Sequence, residues 1–241
     1  MKIRQPMLGI CRGKKATLDG STIVCREEDY SNAFDPQRFV FVKSADQDLP
    51  FICHPRHKIA IEDIKQVMSS HYQGTPYDPY ERDGKAPYRS IALNRNLELH
   101  IFQIRNDVPA AVAGVHWLAF GPNAFNTVVP FYANVTDTPA SYRDTSTDYA
   151  SGSMYWLTHT IAAIGDSHYD QARAAVEAYE QQVVASCRQL QRTTDQEVDP
   201  ASPQDQLTRA NQQMADIAMK EATALLGKLV TVAFKDAKLQ Y

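Results

Sequence analysis

The stretch LELHIFQIR, residues 97–105, is the strongest β-strand signal in the chain and decides its fold class. Leucine or isoleucine stands at positions 97, 99 and 101, and the residues that alternate with them are Glu98, His100 and Phe102. Because successive side chains of a strand point to opposite faces of its sheet, this period of two predicts a sheet with one well-buried face.

Other strand patterns flank this segment. Short runs rich in β-branched and aromatic residues predict strands at residues 21–27, 38–43, 89–94, 112–120 and 125–132. Asp19 and Gly20, ahead of the first of these runs, suit a tight hairpin turn. Residues 71–88 hold four tyrosines and three prolines without periodicity, and unstructured segments of that length are often functional.

Helical periodicity dominates the second half of the chain. It marks residues 60–71, 153–164, 166–193 and 204–234. Strands therefore come mainly first and helices last, which predicts an α+β fold rather than alternating strands and helices. We expect one domain over residues 1–241, with N-terminal strands in 1–50, a loop and sheet region in 59–150 and a helical region in 151–241.

Composition excludes several classes of protein. The 241 residues are 44% hydrophobic and 22% charged, with a net charge of −3, so no basic excess points to nucleic acid. No apolar run is long enough to cross a bilayer, so no membrane partner is expected. The four cysteines at positions 11, 25, 53 and 187 are too scattered for a disulfide framework, which predicts reduced thiols and a cytoplasmic protein.

Two charged residues after a predicted strand are candidates for a nucleophile site. In the sequence CREED, Arg26 could hold a thiolate ionised, because a nearby positive charge lowers the pKa of a thiol. Asp29 could orient a free amine by hydrogen bonding. The alternative is a solvated charge cluster at a strand end, which is the commoner role of such residues.

A second candidate lies at the turn NRN between two predicted strands. Asn94 could donate to a developing oxyanion, and Arg95 could clamp a carboxylate through its two parallel donors. The alternative is ordinary turn chemistry, for which asparagine is well suited.

Evidence for metal or cofactor chemistry is weak. CHPRH offers Cys53, His54 and His57, but no second ligand pair follows at the spacing of a zinc finger. No phosphate-binding glycine loop or dinucleotide fingerprint is present. We therefore expect no metal and no cofactor, and we expect His116 and Trp117 to be a buried core pair.

Several longer strings resemble one family. They are GKKATLDGSTIVCREED, SSHYQGTPYDPY, ALNRNLELHIFQIRNDVP, HWLAFGPNAFNTVVPFYANVTDTPASYR and YWLTHTIAAIGDSHY. Together they resemble the bacterial dipeptidase A family, cysteine-nucleophile peptidases of the N-terminal-nucleophile hydrolase class. The resemblance covers about residues 13–44 and residues 59 to the C-terminus.

This resemblance implies an αββα sandwich and hydrolysis of small dipeptides. It also implies that the nucleophile is the first residue of the mature chain, exposed by removal of a short propeptide. The α-amine of that residue then serves as the base, since an amine with a pKa near neutral can accept the thiol proton. Arg26 and Asp29 match the Arg-x-x-Asp pattern of the family, and Cys11 is the candidate nucleophile.

The sequence departs from the family pattern in two places. Counting back from Gly13 puts the family's cysteine at Met7, whose thioether cannot form a thiolate, so Cys11 is displaced by four residues. The matching strings also jump from the strand near Val42 to the helix near Ile61, so a central part of the family fold is missing around residues 49–58.

Two hypotheses of different class follow. The first is a dipeptidase that uses Cys11 after cleavage between Ile10 and Cys11, with Asn94 or Arg95 binding the oxyanion or the substrate and with impaired turnover. The second is a non-catalytic remnant of a dipeptidase, acting only as a folded protein or as a homo-oligomer.

Overall fold

The computed structural model describes residues 9–12, 17–29, 58–82 and 88–237, and for strand residues 9–12 and 24–29 it describes the backbone only. The strand predicted at residues 38–43 and the residues Cys53, His54 and His57 lie outside the described residues. Within the described ranges the order of elements is mainly strands first and long helices last, as the sequence predicts.

The described strands form one five-stranded antiparallel sheet in chain order. They are β1 (Gly9–Arg12), β2 (Thr22–Asp29), β3 (Asn96–Ile104), β4 (Gly114–Phe120) and β5 (Val129–Tyr132). The pairing of β2 with β3 shifts register between Glu28 and Asp29. β3 is the centre of this sheet, so the segment with the clearest alternation occupies its most protected strand.

The two faces of the sheet have different surroundings. Leu99, Ile101 and Trp117 on one face are 0% exposed, which confirms the predicted buried face. On the other face, hereafter the open face, Phe102 is 46% exposed and Ile104 is 55% exposed. The sheet therefore carries apolar side chains on both sides, and in the described structure only one side is fully covered.

The long helices cover the buried face. The described helices are α1 (Ile61–Met68), α2 (Ala110–Ala113), α3 (Ala140–Arg143), α4 (Met154–Ser167), α5 (Tyr169–Glu197) and α6 (Gln204–Lys235), with a 3₁₀ turn at Tyr80–Arg82. Tyr142 in α3 instead packs on Phe131 of the open face. α4 packs on β4, and α5 and α6 pack on each other and on β5. The predicted apolar stripe is confirmed: its residues are buried or partly buried, namely Ile161, Ile164, Val176, Val183, Leu190, Leu225 and Leu229.

A polar clamp ties the sheet to α5. The guanidinium of Arg105, which follows β3, donates to the carboxylate of Asp195 and to the Val112 carbonyl. The Tyr132 hydroxyl donates to Asp195 Oδ1 at 2.7 Å. Burial and this hydrogen bond raise the pKa of Tyr132 well above its ordinary value, so its hydroxyl remains a donor.

Two local predictions differ from the structure. The strand predicted at residues 89–94 is wrong: Ile91 and Ala92 donate their N–H groups to the Ser70 carbonyl at 3.1 and 2.9 Å instead of joining the sheet. Trp117 is in the core, but His116, its neighbour along β4, lies on the open face and is only partly buried. Adjacent residues of a strand cannot share a face, so the predicted core pair is divided.

Two glycines in helix interiors provide a test of packing between α4 and the core. A Cβ at Gly165 in α4 would lie 2.8 Å from two ring carbons of Phe125, whereas one at Gly227 in α6 would meet nothing within 4 Å. Both substitutions to alanine gain helix propensity, about 1 kcal/mol, but only Gly165→Ala overpacks, at a cost of about 1–3 kcal/mol. In urea denaturation we expect Gly165→Ala to be less stable than Gly227→Ala by that cost, and equal stabilities would contradict the packing.

Candidate functional site

The predicted nucleophile and its arginine lie on neighbouring strands. In the register, the Cα of Cys11 in β1 pairs with that of Val24 in β2. The Cα of Arg26, two residues further along β2, pairs with Gly9 on one side and with His100 on the other. Positions directly opposite in an antiparallel pair share a face, as do positions two apart. Positions 11, 24 and 26 therefore lie on the open face.

The other predicted site residues lie further along the sheet. Asp29 ends β2 opposite Asn96, five residues from Val24 and therefore about 16 Å along the strand at 3.3 Å per residue. Asn94 and Arg95 are exposed in the turn that precedes β3. The register thus brings Cys11 towards Arg26, but it leaves Asp29, Asn94 and Arg95 near the opposite end of β2.

Asn96, the third residue of the NRN turn, is a candidate that the sequence did not single out. It is 0% exposed, and its Oδ1 accepts the Leu93 N–H at 2.5 Å. Its buried Nδ2 finds no acceptor among the described residues. Because its Cα pairs with that of Asp29, Asn96 can position this end of β2. The sequence feature that could have indicated Asn96 is its position at the start of the strand, where a side-chain amide can hydrogen-bond to the backbone of the preceding turn.

A chain of three titratable side chains runs across the open face. The carboxylate of Glu98 lies 2.8 Å from His100 Nε2, and His100 Nδ1 lies 2.6 Å from His116 Nε2. The two imidazoles are stacked, and the His116 ring also stacks on Phe102 at 4.6 Å between centroids. The sequence could not pair His100 with His116, since their contact depends on the register of β3 and β4.

His116 stays uncharged at neutral pH. Burial first, and then the neighbouring His100, lowers its pKa from 6.5 to about 4, against a smaller opposing effect of Glu98. Both contacts are satisfied when His116 Nε2–H donates to His100 Nδ1 and His100 Nε2–H donates to Glu98. In that arrangement His116 Nδ1 is a hydrogen-bond acceptor with no partner among the described residues.

An apolar cleft with a volume of ≈ 590 Å³ opens beside His116. Sites for small ligands have volumes of about 300–1,000 Å³, so the cleft is large enough for one. Its floor is the open face of β3, β4 and β5, and its wall is the segment that contains α3. We define this apolar cleft by six of its residues: Phe102, Ile104, His116, Leu118, Phe131 and Tyr142. None of the described residues that line it is Asp, Glu, Lys or Arg.

A second, more polar cleft lies between α1 and α5. Lys65 is almost fully buried beside it and donates to Ser69 Oγ at 2.7 Å and to the Asn123 carbonyl at 2.9 Å. His71 Nδ1 lies 3.3 Å from Asp78, and its Nε2 lies 3.1 Å from the Tyr169 hydroxyl. The hydrogen bonds that His71 makes to Asp78 and to Tyr169 of α5 hold the segment around residues 71–78 against that helix.

Two other kinds of site are absent from the residues that the structure describes. No described helix combines the length and the apolar character that a membrane span requires. No three described His, Cys, Asp or Glu side chains are grouped as metal ligands would be.

Comparison with known proteins identifies the family. The model of peptidase family C69 matches residues 9–48 and residues 42–182. The chain belongs to peptidase family C69. This confirms the resemblance to the dipeptidases of that family, and the matched residues include β1 to β5, α1 and α4.

Curated relatives of the family are named as dipeptidases. The chain is 47% identical to dipeptidase A of Lactobacillus helveticus over 206 residues, which are 83% of this chain and 43% of that protein. It is 44% identical to probable dipeptidase B of Lactococcus lactis over 200 residues, 81% of this chain and 42% of that protein. The chain therefore spans less than half the length of these relatives.

Proposed function

We propose that this C69 chain hydrolyses small dipeptides, with Cys11 as an N-terminal nucleophile, in a fold of the αββα class. Family membership carries the proposal, and the register supports it, because the Cα of Cys11 pairs with that of Val24, two residues from Arg26 on the same strand. The named dipeptidases among its relatives supply the substrate class. Small dipeptides are thus the proposed partners, and the chemistry requires no metal or cofactor.

In the proposed reaction, removal of residues 1–10 frees the α-amine of Cys11. This amine accepts the thiol proton, and the positive charge of Arg26 favours the thiolate. The thiolate attacks the carbonyl carbon of the peptide bond, and the α-ammonium of Cys11 returns its proton to the nitrogen of the second residue. The C–N bond then breaks, the second residue leaves as a free amine, and a thioester to the first residue remains. Water then hydrolyses the thioester, which regenerates the thiol and releases the first amino acid.

We propose in addition that turnover is slow. Asp29, which orients the amine in the family pattern, and the Asn94–Arg95 turn, which would supply the oxyanion or substrate contact, are some five residues of β2 away from the Cys11 row. Misplacement of a catalytic group by even about 1 Å can cost about a hundredfold in rate. The half-exposed Phe102 also indicates that water reaches the open face, which weakens electrostatic stabilisation of an oxyanion.

The same displacement favours a second candidate function. If no cysteine reaches a base and an oxyanion donor, the chain is a non-catalytic member of the family that acts as a folded or oligomeric protein. The two candidate functions share one fold and differ in whether the chain catalyses hydrolysis.

Hydrolysis of a panel of dipeptides by the purified full chain tests the proposal. We expect slow release of free amino acids, detected by chromatography, and a fraction of the chain whose intact mass lacks residues 1–10. If concentrated enzyme releases no amino acid above the rate of a protein-free control, the hydrolase proposal is wrong and the non-catalytic alternative stands.

A further inference from the structure

We propose that the apolar cleft is a subsite for an uncharged, bulky side chain of the dipeptide, so that the chain prefers dipeptides with aromatic or branched aliphatic residues. This specificity rests on the hydrolase proposed above and names the substrate class of that site. The first support is position. The Cα of Cys11 pairs with that of Val24, Val24 with Phe102, Phe102 with His116 and His116 with Phe131, so one row of backbone positions across the sheet runs from residue 11 to the cleft.

Distances along this row match the size of a dipeptide. Neighbouring strands lie about 4.8 Å apart, so Phe102 is about 10 Å from Cys11. An extended dipeptide spans about 7 Å at 3.3–3.6 Å per residue, and a large side chain covers the remainder. A dipeptide whose carbonyl lies at Cys11 and whose chain runs across β2 therefore places one side chain on Phe102, at the mouth of the cleft.

The chemistry of the cleft selects against charge. His116, the one imidazole among the described lining residues, stays neutral because burial and His100 lower its pKa to about 4. No carboxylate, guanidinium or ammonium group among the described lining residues could pair with a charged side chain. Burying an unpaired charge is costly, whereas aromatic rings gain from contact with Phe102, Phe131 and Tyr142.

Binding measurements on the full chain with Cys11→Ala, which holds the dipeptide without hydrolysing it, test the inference. We expect phenylalanyl-phenylalanine and leucyl-leucine to bind at least about tenfold more tightly than glycyl-glycine or glutamyl-glutamate. Adding Phe102→Ala should weaken binding of the aromatic dipeptide about tenfold. Adding Ala133→Trp, which introduces a large ring from an exposed position on the wall of the cleft, should block it.

Phe234→Ala is the matched control, because Phe234 is 81% exposed near the end of α6 and does not line the cleft. Equal affinities for the four dipeptides, or unchanged binding in both cleft variants, would overturn the subsite. The two proposals fail separately. Hydrolysis without preference for bulky side chains rejects only the subsite, whereas selective binding without hydrolysis by the unmodified chain rejects only the catalytic function.

Discussion

Cys11→Ala is expected to reduce dipeptide hydrolysis to below about 1% of the rate of the unmodified chain, since removal of a nucleophile leaves only binding and electrostatic effects. Cys25→Ala is the matched control. The Cα of Cys25 lies one residue from Val24, the partner of Cys11, and pairs with Ile101 of the buried face, so this position faces away from the open face. Its substitution should leave the rate nearly unchanged.

Thiol labelling separates the nucleophile from the structural cysteine. Cys187 is 0% exposed, and burial raises the pKa of its thiol to about 12, so it should not react with iodoacetamide in the folded chain. Prior labelling should abolish hydrolysis and place the modification on Cys11. Retained hydrolysis in Cys11→Ala, or loss in Cys25→Ala, would assign the chemistry to another group.

The sheet was predictable where alternation was strong. Leu99 and Ile101 fall on the buried face because a period of two has a single geometric solution in a strand. The three long helices were also found within a few residues of their ends, since Pro200 and Pro203 interrupt the pattern between α5 and α6. By contrast, residues 89–94 lack alternation, and the Ser70 carbonyl, distant in sequence, takes their N–H groups.

The candidate site was predictable only in its residue types. Arg26 and Asp29 are three residues apart in sequence, but whether Cys11 lies near either depends on the register of β1 against β2. The contact of His100 with His116 likewise arises from pairing of β3 with β4. Sequence specifies register through many weak cross-strand contacts, and no single motif reveals it.

The pH dependence of stability tests the histidine chain on the open face. In the folded chain His116 binds a proton only near pH 4, whereas in the unfolded chain it does so near 6.5. Between these two pH values the unfolded state binds more protons than the folded state, so the free energy of unfolding rises with pH through this window. The contribution of His116 to stability is complete above about pH 6.5. At 1.36 kcal/mol per pH unit the full contribution is about 3 kcal/mol.

His116→Gln should remove this dependence, because glutamine can still donate to His100 but does not titrate. In urea denaturation we expect the unmodified chain to lose up to about 3 kcal/mol more stability than His116→Gln between pH 7.5 and pH 4. Carboxylates that titrate in the same range affect both proteins equally and cancel in the difference. His100→Gln is the second variant: it should keep most of the dependence, since burial is the largest cause of the lowered pKa and His100 the second. Parallel stability curves for the unmodified chain and His116→Gln would mean that His116 is solvated and has an ordinary pKa. The cleft beside it would then not be uncharged over the pH range in which an ordinary imidazole is protonated.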